Sequence, residues 1–389
     1  MKSRYSRNFW IVCFAMFFFM TGFNLIMPEL NNFITNLGGE KQKGLIILLF
    51  SVSAGLSRPF SGKIADIVGR KWVMYAGIIC SFVICLSYSF VDSILFFLLL
   101  RFLHGFSAGF APTGATALLT DVIPDNARGT AMGIWGTFIS LGIGVGQSLG
   151  SWIYQLFGFD VLFMSAAFIT CISFVMVSIA KESLQVQQKM SLQHLKITWK
   201  DVFEPNVLPA ALVMFLTAIC SGIIFVVTPD ISGMLHIENK GFFFGFYVIS
   251  TIVIRLLTSS VSDRIGRPQT LIIGVSILIT SMILIATVDS KVSYIVAAIV
   301  FGFATGMSSP TLFAWTADLS HKDRRGVGAG TMFLALEFGI IAGSVITLLV
   351  YDNSPTGVYR AFLIGACSAL LALSFLIYIT VKQYRNRPL

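Results

Sequence analysis

The chain has 389 residues, of which 56% are apolar and only 12% charged, with a mean hydropathy of +0.84. A soluble domain carries about 25% charged residues, so too few remain here to cover a water-facing surface, and a soluble enzyme or binding module is excluded. The net charge of +9 does not indicate nucleic acid, because the Lys and Arg sit in short segments between long apolar stretches rather than on one basic face.

Twelve apolar segments follow one another, at 9–32, 44–63, 73–91, 94–118, 130–154, 161–181, 207–229, 241–262, 270–288, 292–316, 327–351 and 359–381. Each approaches the ~20 residues that a helix needs to cross a hydrocarbon core. The first, opening with the run from Phe9 to Pro28, has no small-residue cleavage site and reads as a retained helix. Arg101 and His104 lie in the fourth segment and Glu337 in the eleventh, at depths where an idle charge is costly. Arg58 and Arg255 fall near segment ends, where snorkelling accounts for them. All six Cys lie within apolar runs without metal-ligand spacing, so they read as small buried hydrophobes, with neither disulfide nor metal expected.

A longer gap, 182–206, separates six segments from six. The expected organisation is therefore an N-terminal six-helix bundle (1–181), a linker (182–206) and a C-terminal six-helix bundle (207–389). Leu192, Leu195, Trp199 and Val202 recur in the linker at helical spacing with Lys196 and Lys200 between them, which predicts a short amphipathic helix on the membrane surface. Nineteen Lys and Arg fall on the side of the N-terminus and five on the other, with three inside segments. That bias puts both termini in the cytoplasm.

The halves overlay at a constant shift of 197 residues: Arg58 onto Arg255, Asp66 onto Asp263, Gly69 onto Gly266, Arg70 onto Arg267, Asp121 onto Asp318 and Arg128 onto Arg325. Six glycine pairs obey the same shift, from Gly105 and Gly302 to Gly146 and Gly343. Two parallel six-helix repeats place a pseudo-two-fold axis along the membrane normal, the architecture of carriers with a central site open alternately to either side.

The stretch Gly62-Lys63-Ile64-Ala65-Asp66-Ile67-Val68-Gly69-Arg70-Lys71, with its copy Asp263-Arg264-Ile265-Gly266-Arg267, resembles the signature turn of the major facilitator superfamily. The resemblance covers nearly the whole chain and implies an all-α integral membrane fold of twelve helices in two pseudo-symmetric halves. Gly62 allows close helix approach and Gly69 a tight turn. Asp66 suits a neighbouring helix N-terminus, and Arg70 and Arg128 can tie to carboxylates such as Asp121. With Asp263 and Arg267 they form a candidate latch for the outward-facing state; the competing reading is charge anchoring at the interface. The segment from Arg101 to Gly109, and Gly142, Gly146 and Gly150 at four-residue spacing, resemble motifs of the drug–proton antiporter branch. There Gln147 and Ser151 stand where that branch has Pro and Gly.

Arg101 and Glu337 break the repeat, their mates being Ala298 and Ser140. They are the leading candidates for proton coupling, with His104 and Glu29 assisting. His104 packed against a hydroxyl, and Glu337 as a permanently protonated acid, are the alternatives. The family layout puts Phe23, Asn24, Phe110, Phe225, Phe303 and Ser308 on helices around the cavity, a mostly apolar set that suits a hydrophobic or amphipathic substrate better than a sugar. No phosphate-cradling Gly loop is present, so ATP is not the energy source. The expectation is a monomeric secondary carrier of the plasma (inner) membrane, not an enzyme and without a cofactor. Its partners would be protons, a small-molecule substrate and the lipid bilayer, and no nucleic acid. Efflux of a small amphipathic compound and proton-coupled uptake of a metabolite both remain open.

Overall fold

The computed structural model describes residues 5–39, 42–124, 127–191, 196–198, 202–237, 242–258, 260–352 and 354–385. Their regular structure is helix alone: α1 Arg7–Leu25, α2 Leu30–Asn36, α3 Lys43–Ile67, α4 Arg70–Ser87, α5 Ile94–Val122, α6 Arg128–Ile179, α7 Leu208–Met234, α8 Phe242–Thr258, α9 Val261–Ile265, α10 Arg267–Ala286, α11 Lys291–Leu319, α12 Arg325–Val350 and α13 Pro355–Arg385, with short 3-10 turns between some of them. Among the described residues ten helices are long and apolar enough to cross a membrane, and Phe242–Thr258 is a shorter apolar one.

Local chemistry explains where these helices differ from the predicted segments. The first segment breaks after Leu25, and Met27–Glu29 forms a 3-10 turn because Pro28 has no N–H to donate into an α-helix. The fifth and sixth segments fall within α6, which is two helices meeting at Gly158 (φ 80°, ψ −173°), so a single non-helical residue makes the turn that six were expected to make. Pro59, Pro112 and Pro310 lie inside continuous helices. Large side chains such as Leu95 and Leu349 (each 80% exposed) face outward, as a lipid-facing surface requires. Cys171 and Cys367 do too, correcting the expectation that every Cys is buried; in lipid the outer face is as apolar as the core.

The chain divides into two compact units. Unit 1 comprises 1–124, 138–208 and 319–334; unit 2 comprises 125–137, 209–318 and 335–389. They follow the two sequence repeats except at the first turns of α6 and α12, each of which clusters with the other repeat. In unit 1, Leu25, Ile26, Tyr88, Phe97, Leu162 and Phe163 form one buried core. In unit 2, Phe243 packs against Tyr294 and Phe301 at ring-centre distances of 5.2 and 6.1 Å.

Of the described linker residues, 182–191 and 196–198 are not helical, whereas Val202 is. Leu192, Leu195, Trp199 and Lys200, on which the amphipathic helix rests, lie outside the described residues. What is described is tied down: Glu182 Oε2 accepts from the Lys71 amide (2.9 Å), Ile67 O accepts from the Gln188 amide (2.9 Å), and the buried Glu204 carboxylate pairs with Arg324 (2.8 Å).

Candidate functional site

The signature residues assemble one cluster in each unit. In unit 1, α3 ends at Ile67, and Gly69 at φ 146° turns the chain so that α4 can begin at Arg70. That φ is open to glycine and strained for other residues. Asp66 lies at the N-terminus of α12, accepting from the amides of Gly326 (2.8 Å) and Val327 (2.9 Å). Two otherwise orphaned amides and the positive end of the helix dipole thus meet one carboxylate. Arg70 pairs with Asp66 (2.6 Å) and with Asp121 (3.2 Å), and Asp121 also accepts from Arg325 (2.9 Å) and from the Ser183 hydroxyl (2.6 Å). Gly62 makes this approach possible, since a Cβ there would stand 2.9 Å from Gly326 O.

Unit 2 repeats the arrangement. Gly266 turns at φ 101°, and Asp263 accepts from the Thr130 amide (2.9 Å) and hydroxyl (3.0 Å) at the start of α6. Arg267 pairs with Asp263 (2.6 Å) and Asp318 (2.8 Å), and Arg128 pairs with Asp318 (2.9 Å). Every ion pair of one cluster has its counterpart 197 residues away. The geometry corrects one expectation: Arg128 pairs with Asp318 rather than Asp121, whose second cation is Arg325. Arg128 opens α6, and the start of α6 belongs to unit 2. Asp318 and Arg325 are thus cluster residues missing from the predicted set, and the 197-residue shift was the signal that could have supplied them.

The intramembrane candidates separate. Arg101 is fully buried on α5; its Nη2 reaches Met27 Sδ (3.8 Å) and its guanidinium carbon lies 4.9 Å from the Phe50 ring centre. No ion pair joins it to a carboxylate among the described residues. Glu29 does not reach it: the 3-10 turn places Met27 there, and Glu29 instead accepts from Asn32 Nδ2 (2.6 Å). His104, also fully buried, sits between hydroxyls, with Nε2 3.0 Å from Ser81 Oγ and Nδ1 3.2 Å from Tyr88 OH. Tyr88 and Ser81 were not singled out from sequence, where nothing marks them off from other polar residues of an apolar helix. Glu337 is buried on α12 within unit 2, so it does not share a unit with Arg101. Arg58 and Arg255, expected to snorkel, are buried as well, because Arg58 is taken by Gly109 O (3.2 Å) and Thr113 Oγ1 (3.0 Å) and Arg255 by Gly136 O.

Of the predicted cavity residues, Phe23 joins the Arg101 group, its ring 5.2 Å from those of both His104 and Phe50. Asn24 donates to Met20 O (2.9 Å) and accepts from Gln147 (3.4 Å), so the residue replacing the expected Pro ties α6 to α1. Phe110 packs apart from them, against Ile64, Ala65, Val68 and Val73. In unit 2, Phe225 stacks on Phe244 (5.8 Å), Phe303 is half-buried, and Ser308 is buried against Gly274. No group of three or more His, Cys, Asp or Glu able to hold a metal occurs among the described residues.

Membrane-crossing helices in two repeats, with a carboxylate capping a helix start in each, define an integral membrane carrier. The Major Facilitator Superfamily profile matches residues 12–344 and 211–388, and the chain belongs to that family. It is similar to the multi-drug resistance efflux pump PmrA homolog of Lactococcus lactis, with 24% identity covering 98% of this chain and 97% of the relative. It is similar also to the multidrug resistance protein MdtG of Dickeya zeae, with 24% identity covering 99% and 97%. Among solved structures the fold matches the human organic anion transporter MFSD10 (TETRAN), with a TM-score of 0.83 and 18% identity, covering 95% of this chain and 99% of that one.

Proposed function

We propose that this transporter exports a small hydrophobic or amphipathic compound by alternating access, driven by proton entry. The observation that carries the reading is the pair of carboxylate-capped helix starts, Asp66 on α12 and Asp263 on α6. Each is a contact of charge with dipole that can be made and released as a unit, which a mobile gate requires and a static scaffold does not. The names of the relatives that cover the full chain support export. The Arg101 group, a desolvated cation among Phe23, Phe50 and Met27, suits a largely apolar ligand.

Proton movement is assigned to Glu337 and Arg101, with His104 and Glu29 assisting. A buried carboxylate near mid-membrane loads and releases a proton as its surroundings change. The working organisation is a monomer in the plasma (inner) membrane with bundles 1–181 and 207–389, the linker 182–206 and both termini in the cytoplasm. Proton-coupled uptake is the second reading, favoured by the Gln147–Asn24 contact where the export branch has a proline kink.

Inverted membrane vesicles carrying the protein, supplied with a lipophilic dye from outside and given an imposed pH gradient with an acidic interior, test this. Gradient-driven dye accumulation that Glu337→Gln abolishes, with dye binding kept, is the expected result. Accumulation only in right-side-out vesicles would replace export by uptake. Normal transport by Glu337→Gln would remove Glu337 from the proton route.

A further inference from the structure

We infer that Arg58 and Arg255 are positioning residues of the transport cycle, forming a second and deeper tier of contact that sets how the first turns of α12 and α6 are docked. They are repeat mates, both buried at 3% and 7% exposure. Arg58 hydrogen-bonds Gly109 O (3.2 Å) and Thr113 Oγ1 (3.0 Å) on α5, and its guanidinium carbon stands 4.3 Å from the centre of the Phe333 ring on α12. Arg255 donates to Gly136 O on α6. Positions 136 and 333 are themselves 197 residues apart, so the two arginines strike equivalent points of equivalent helices.

The two strike points differ in chemistry, and each suits its arginine. Phe333 offers a ring face, which attracts a planar guanidinium. Gly136 offers bare backbone: a Cβ there would come within 3.0 Å of Arg255 Cζ and Nη1. A planar cation with donors at its edge can use either surface, which an ammonium cannot do equally well.

Position also argues for a role beyond packing. Asp66 grips α12 at Gly326 and Val327 and Arg58 meets it at Phe333; Asp263 grips α6 at Thr130 and Arg255 meets it at Gly136. Six residues of helix separate the grips, about 9 Å along the axis. One point of attachment leaves a helix start free to pivot, whereas two such points fix its direction. Release of the carboxylate cap therefore has to be matched by release of the arginine on the same stretch. This inference rests on the transporter reading for its meaning, but its primary test does not depend on transport.

The experiment is hydrogen–deuterium exchange on the full-length protein in lipid nanodiscs. Arg58→Lys and, independently, Phe333→Leu should speed amide exchange in 325–335 by about threefold or more, leaving 128–138 within about 1.5-fold of the parent. Arg255→Lys and Gly136→Ala should give the reverse pattern. Where a substrate is in hand, the same variants should lower maximal transport by about three- to tenfold with KM within about twofold, a split that loss of substrate contact would not produce. Unchanged exchange in both stretches, or a rise spread equally over α10 and α13 with a lowered melting temperature, overturns the proposal. The segment-specific pattern without any transport would uphold the docking role and sink the transporter reading separately.

Discussion

At the residue scale the two signature clusters are repeat mates but not equals. Asp121 is 16% exposed and holds Arg70, Arg325 and Ser183, whereas Asp318 is 32% exposed and holds Arg267 and Arg128. Charge-assisted bonds strengthen as water is excluded, so unit 1 should be the stronger cluster. Asp121→Asn is expected to lower stability by about 2 kcal/mol and Asp318→Asn by about 1 kcal/mol, read from denaturation in detergent. Equal losses would refute the ranking. Asp66→Asn keeps the volume but removes the anion facing Arg70 and two helix amides; transport should fall about tenfold or more with unchanged amounts of folded protein. Unaltered transport rates would leave Asp66 a mere anchor. These residues were legible in the sequence because the shift of 197 reports them twice. The hydroxyl partners of His104 were not, since Ser81 and Tyr88 have no such echo.

At the element scale, backbone decides more than side chains. Gly158 holds φ 80° at the turn inside α6, with open space where a Cβ would stand. The cost of replacing it is therefore conformational alone. Gly158→Ala and Gly158→Asn should each cost about 1–3 kcal/mol, because φ 80°, ψ −173° is open essentially to Gly alone and lies outside the left-handed helical well that Asn tolerates. Melting temperatures of the two variants check this, and an Asn variant as stable as the parent would contradict it. Gly62 is the opposite case, limited by space rather than by torsion. Gly62→Ala puts a methyl 2.9 Å from Gly326 O and should push the start of α12 off Asp66. Faster amide exchange at Gly326 and Val327 is the expected sign, and protection equal to the parent would show that the helices shift to absorb it.

At the scale of the whole molecule the governing quantity is the nineteen-to-five distribution of Lys and Arg. It predicts that Gln187, exposed in the linker, and Asp92, exposed in the turn between α4 and α5, lie on opposite sides of the membrane. With the native cysteines replaced, Asp92→Cys should react with an impermeant maleimide on intact cells and Gln187→Cys only after permeabilisation. The reverse pattern would invert the topology and, with it, the assignment of the signature clusters to the cytoplasmic side.

Composition and hydropathy alone determined the membrane class, because a chain with 12% charged residues has no other way to satisfy its surface. Hydropathy also supplied the number of segments, and the repeat determined the identity of most cluster residues, because two copies of one design must keep the same residues at the same offsets. Partner choice was left to the tertiary structure. Arg128 reads from sequence as a neighbour of Asp121, only seven residues earlier, yet it pairs with Asp318. The buried course of Arg58 and Arg255, read as snorkelling, was likewise decided by packing. Periodicity and charge fix the depth of a side chain in a bilayer, but not which neighbouring helix offers it a carbonyl, a ring or a carboxylate. That choice depends on close approach at positions such as Gly62, where two backbones come near, and Gly136, where the missing side chain leaves room for the Arg255 guanidinium.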